Sequence, residues 1–167
     1  TTLKDSSGNG YDMAIENVTY QNSSLVFANN SKAVLTGTAI TAIKQALVAA
    51  DQMTLMLDVT PDASMPTNKA FIGGLLTADR KTYFSAMTRW NCLVVDSGIA
   101  YGDNGESVPF GSYPADNANY TAGTKYQLAN VYDGAGGDLG TGGITYYING
   151  VKQRANDELL KKVLSQL

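Results

Sequence analysis

The chain has 167 residues, a formal net charge of −3 and a pI of about 4.8, so it is long enough to bury its own core and shows no basic footprint for nucleic acid. It has no histidine, which removes the commonest general base and zinc ligand, and its single cysteine, Cys92, has no partner for an internal disulfide. No apolar run approaches the length of a membrane span, and the abundance of Gly, Ser, Thr, Asn and Tyr with sparse charge suits a loop-rich, all-β extracellular domain.

Residues 1–12 are rich in turn-forming types, with Gly8 and Gly10 free to take φ > 0. Asp5, Ser7, Asn9, Gly10 and Glu16 match the EF-hand loop spacing, but only four residues precede Asp5, too few for the entering helix. A looser Ca2+ site using Asp5, Asn9 and Asp12 is the metal candidate, because hard oxygen ligands are dense here. Short β-type pieces follow: Met13-Ala14-Ile15, Val18-Thr19-Tyr20, Ser24-Leu25-Val26-Phe27 and Ala33-Val34-Leu35, with a turn expected at residues 29–32. Four Asn-x-Ser/Thr sequons, at Asn17, Asn22, Asn29 and Asn119, are candidate glycosylation acceptors. Residues 38–50 have helical spacing, with Ile40, Ile43, Leu47 and Val48 on one face and Lys44 and Gln45 away from it.

Residues 53–59 alternate, with Met53, Leu55, Leu57 and Val59 on the core face. A strand at residues 70–76 contains Gly73-Gly74, a bulge signal, and residues 82–90 return with Phe84, Ala86, Thr88 and Trp90 opposed to Tyr83, Ser85, Met87 and Arg89. Cys92 opens a short apolar strand to Val95 and reads as a small buried hydrophobe rather than a nucleophile. Residues 96–123 read as a long irregular region whose aromatics either stack on a flat ligand or form the loop's own small core. A third β-type run at residues 125–134 precedes a Gly-rich loop. No Lys-Ser/Thr follows that loop, which rules out a P-loop. Two further runs then meet at Asn149-Gly150, a dipeptide suited to a type I′ turn. Residues 155–167 carry a Leu-rich helical stripe that needs somewhere to dock.

Two motifs at opposite ends carry a family likeness. Asp5-Ser6-Ser7-Gly8-Asn9-Gly10-Tyr11-Asp12 resembles the Asp-x-Ser-Gly-Asn-Gly-x-Asp signature of laminin G-like, concanavalin A-like domains. Val131-Tyr132-Asp133-Gly134 followed by Tyr147-Ile148-Asn149-Gly150 resembles that family's late strand pair, and the tail is loosely similar to a segment in carbohydrate-binding domains of bacterial sialidases. The resemblance implies an all-β, antiparallel jelly-roll β-sandwich with one or two short helices, occupying residues 1–167 as one domain. Such domains begin and end with paired strands that are not evident here, so the chain is expected to be part of a longer protein, or else the tail helix replaces those strands.

Members of that family are mostly non-catalytic modules that bind glycans or extracellular proteins, and related hydrolases carry a close Glu/Asp pattern on one strand. The three glutamates here, Glu16, Glu106 and Glu158, are widely separated. The expected function is therefore a lectin-like, carbohydrate-binding module, extracellular or at the cell surface, partnered by a glycan and by neighbouring domains of its parent protein. The alternatives are a structural or adhesion module and, less favoured, a glycoside hydrolase. Candidate glycan contacts are Tyr83, Arg89, Trp90, Tyr101 and Tyr147, with Arg80 or Arg89 able to pair with an acidic sugar's carboxylate.

Overall fold

The computed structural model describes residues 2–35, 37–67, 71–76, 83–89, 91–101, 106–112, 119–133 and 143–153. These residues are mostly antiparallel strands with one helix, as the alternating patterns predict. Contacts divide the chain into two compact units, Thr1–Ala50 and Asp51–Leu167.

The first unit holds β1 (Thr2–Leu3), β2 (Met13–Gln21) and β3 (Ser24–Leu35) in one sheet, ordered β1-β2-β3, followed by helix α1 (Thr38–Ala50). The four short strand pieces expected here are two long strands. Asn17, at φ 53°, absorbs a register shift between Glu16 and Val18, so β2 continues through a bulge instead of ending. The hairpin reverses at Asn22-Ser23, whose φ values are 50° and 60°, and not at residues 29–32. Those residues lie inside β3 opposite the bulge, where the Ser31 hydroxyl donates to the Asn17 carbonyl and accepts from the Ala28 N–H. In α1 the inward stripe runs through Ala39, Ile43 and Leu47, at i, i+4 and i+8. Ile40 is carried off that stripe and is 51% exposed, contrary to its expected place on the inner face. Lys44 and Gln45 are exposed, as expected.

The second unit contains β4 (Gln52–Val59), β5 (Phe71–Leu76), β6 (Tyr83–Arg89), β7 (Cys92–Tyr101), β8 (Glu106–Ser112), β9 (Tyr126–Asp133), β10 (Gly143–Ile148) and β11 (Val151–Lys152). They form two four-stranded antiparallel sheets, β11-β10-β9-β4 and β5-β6-β7-β8. The sheets face each other across a core of Ala86, Leu93, Leu128 and Tyr146, with Met53, Leu55, Leu57, Val59, Tyr126, Tyr132 and Ile148 packed against it. The Tyr146 hydroxyl crosses from one sheet to the other and donates to the Leu93 carbonyl at 3.1 Å. Burial pushes that phenol's pKa well up. Approach is close at Gly73 too, where an added Cβ would stand 2.8 Å from Leu57 Cδ1. Gly73 also closes the register shift after Phe71, so the glycine break is a bulge.

The described residues within 96–123 are more regular than their composition suggests. β7 continues to Tyr101, and β8 pairs with it from Val95↔Ser112 to Tyr101↔Glu106. A meander satisfies backbone N–H and C=O groups whatever the side chains, so Gly98 and Pro109 are carried in strands that their composition alone disfavours. Cys92 is 4% exposed, and burial raises its thiol pKa, in keeping with a small core hydrophobe. The expected tail helix, the Gly-rich loop at 134–142, Arg80 and Trp90 lie outside the described residues. Among the described residues no helix is long and apolar enough to cross a membrane.

Candidate functional site

Strand β9 lies between β4 and β10, so both of its edges are paired. Alternation sends Leu128 and Asn130 inward, each 1% exposed, and turns Gln127, Ala129 and Val131 outward. Registered pairs extend this outer face across the whole sheet. Met56, Ala129, Tyr147 and Lys152 form one row, and Thr54, Val131 and Thr145 form the next. Neighbouring strands are about 4.8 Å apart, so Met56 and Tyr147 flank Ala129 at roughly 10 Å. The row dips at its centre because Ala129 is small. Met56 is 58% exposed and Tyr147 half-buried, so a thioether and an aromatic flank Ala129 on this face.

Polar groups line the rest of this face. Asp58 accepts from Lys125 Nζ at 2.7 Å and from Gln127 Nε2 at 3.4 Å. The lysine contact leads in holding its carboxyl below the usual range. At the far end the Asp133 carboxylate accepts from Gln52 Nε2 at 3.3 Å. Asp58 faces Gln127 and Asp133 lies six residues further along β9, so the two carboxylates stand about 20 Å apart. That exceeds the roughly 5–9.5 Å of a glycosidase carboxylate pair. The face is held in shape by the turn beside it. Asn149 and Gly150 take φ values of 51° and 76°, the type I′ conformation expected from their identity. Asn149 donates its N–H to the Gln127 carbonyl at 2.8 Å and accepts from the Gln127 N–H at 2.9 Å through Oδ1.

The other glycan candidates fall elsewhere. Tyr83 and Arg89 hold the first and last places of β6, registered with Gly98 and Cys92, and Tyr101 ends β7 opposite Glu106. All three belong to the β5-β6-β7-β8 sheet, whereas Tyr147 belongs to the other. Ser85, between Tyr83 and Arg89, is fully buried, so the middle of β6 is not a solvated platform. Met56 and Gln127 were missed as candidates. Strand parity was the available signal, since both fall on the face that Tyr147 occupies once β4, β9 and β10 are aligned.

The residues proposed for Ca2+ form a closed turn in the first unit. Asp5 accepts from the Ser7 N–H at 2.8 Å, the Ser7 hydroxyl at 2.6 Å and the Tyr11 N–H at 3.0 Å. The Ser7 hydroxyl leads the effects that hold the Asp5 carboxyl down at about 2. Asp12 is shared between Lys4 Nζ at 2.5 Å and the Asp5 N–H at 2.9 Å. Asn9 turns its own N–H and Nδ2 to the Ser7 hydroxyl at 3.3 and 3.0 Å. A cation would have to take these oxygens from the donors they already face. Among the described residues no group of three or more His, Cys, Asp or Glu is placed to hold a metal. No family model, curated protein or solved structure matches this chain.

Proposed function

We propose that this chain is a non-catalytic glycan-binding module of the jelly-roll, laminin G-like kind, serving a larger secreted or cell-surface protein. The single observation that supports it is the outward-facing row Met56, Ala129, Tyr147 and Lys152, in which an aromatic and a thioether flank a small residue beside hydrogen-bonding side chains. A pyranose presents apolar C–H faces and a girdle of hydroxyls. Tyr147 and Met56 offer surface to the first, and Thr54, Asp58, Gln127 and Thr145 offer partners to the second. The charges on this face balance, Asp58 and Asp133 against Lys125 and Lys152, with Lys125 engaged by Asp58, which favours a neutral sugar chain.

A glycan-array screen of the folded chain, run with Ca2+ and with chelator, tests this reading. Binding to neutral oligosaccharides is expected, unchanged by chelator, and weakened about tenfold by Tyr147→Ala, the equivalent of ~1.4 kcal/mol. No binding by demonstrably folded protein refutes the module's assignment as a lectin. The second reading, an adhesion module, is favoured by one observation in the first unit. Tyr20 and Phe27 are 73% and 51% exposed on one face of the β2–β3 hairpin, an apolar surface suited to a protein partner. Capture of a protein partner that is lost in Phe27→Ser, together with a blank glycan array, decides for it.

A further inference from the structure

Asn130 occupies the middle of the inward face of β9, registered between Leu55 of β4 and Tyr146 of β10. It is 1% exposed, and neither its Nδ2 nor its Oδ1 meets a hydrogen-bond partner. Leu128 precedes it on the same face, and Leu55 lies beside it. Tyr146 is its polar neighbour, but the Tyr146 hydroxyl donates its proton to the Leu93 carbonyl and keeps only lone pairs to offer. An amide brings two N–H donors and two acceptor lone pairs into this layer. Native interiors rarely leave such groups without a protein or water partner. Buried waters typically make about three hydrogen bonds, and a primary amide is well matched to one. A single water closes a ring with it, accepting from the N–H and donating to the carbonyl.

We propose that Asn130 binds an ordered water molecule inside the sandwich of the second unit. The water accepts from Nδ2–H and donates to Oδ1, and its second hydrogen is available to the Tyr146 hydroxyl oxygen. Asn130 thereby serves as a hydration site within the core, rather than as a packing residue of the wrong polarity.

Water-proton relaxation dispersion and water–amide NOE spectra of the full 167-residue chain test this. The Asn130 Nδ2 protons are expected to show cross-peaks to a long-lived water, and Asn130→Leu is expected to lower the count of long-lived waters by one. An unchanged count in a folded Asn130→Leu protein overturns the proposal. Should that variant fail to fold, the wild-type spectrum decides alone: Nδ2 protons without a water cross-peak mean a dry amide, and the site does not exist.

Discussion

The two units of this chain are held together by different means. In the second, side chains from two sheets are removed from water: Ala86, Leu93, Leu128 and Tyr146 are at most 1% exposed. In the first, Ala39 is the one buried residue among those described, and order comes instead from local polar contacts around Asp5, Asn17 and Ser31. A core resists solvent and pH because its contacts are apolar, whereas a hydrogen-bonded turn depends on the charge state of its acceptor. Substitutions should therefore separate the units cleanly.

The largest loss is expected for Leu128→Ala, at about 2–5 kcal/mol for a fully buried leucine, read as a lower denaturation midpoint of the second unit. Tyr146→Phe should cost about 1–3 kcal/mol, because the buried Leu93 carbonyl loses its inter-sheet donor. Gly73→Ala should cost about 1 kcal/mol, near the low end for overpacking, because Leu57 Cδ1 at 2.8 Å can swing aside only partly. Equal melting curves for Gly73→Ala and wild type would show that the sheets are less closely packed there. Phe27→Ser, on the exposed hairpin, should change stability by less than about 0.5 kcal/mol.

The first unit should instead be broken by acid. The folded Asp5 carboxyl is depressed to about 2 from 3.8, so its contribution is present above the unfolded value and is lost as pH falls through the folded one. Exchange of the Ser7 and Tyr11 amide protons followed from pH 5 to pH 2 should reveal this opening, and Asp5→Asn should show weaker protection already at neutral pH. Protection that stays constant down to pH 2 in wild type would mean that the carboxylate does not hold the turn.

This contrast also explains what the chain discloses before it is folded. Residues 53–59 alternate strictly because one side of β4 is buried and the other is wet, and that pattern survives intact in the structure. The turn at Asn149-Gly150 was readable for another reason, since few dipeptides tolerate φ > 0 twice. The hairpin turn of the first unit was placed wrongly because several Asn and Ser clusters compete there, and no buried face selects among registers. Asn17, Asn22, Asn30, Asn91 and Asn149 all have φ > 0, so the high Asn content records backbone geometry as much as solvation. The outer face around Tyr147 was half legible. Tyr147 stood out as an aromatic opposite the core face, but Met56 joins it only through the pairing of β4 with β9, and Gln127 through the pairing of β9 with β10. Asn130 gave no sign, because its place in β9 reads as one more polar residue in an alternating strand.

The Asn149-Gly150 turn carries a further consequence, for chemical ageing. Asn followed by Gly is the pair in which the backbone nitrogen most readily attacks the side-chain amide, since glycine offers no steric shield, and both residues are exposed here. The resulting succinimide reopens mainly to isoaspartate, which adds a methylene to the backbone of a two-residue turn. Ile148↔Val151 and Tyr147↔Lys152 would then fall out of step. The same conversion removes the Asn149 side-chain amide, whose Oδ1 accepts from the Gln127 N–H. The outer face of the sheet therefore has a covalent clock at its edge, and preparations should lose surface order around Tyr147 with storage at alkaline pH while the buried core remains folded.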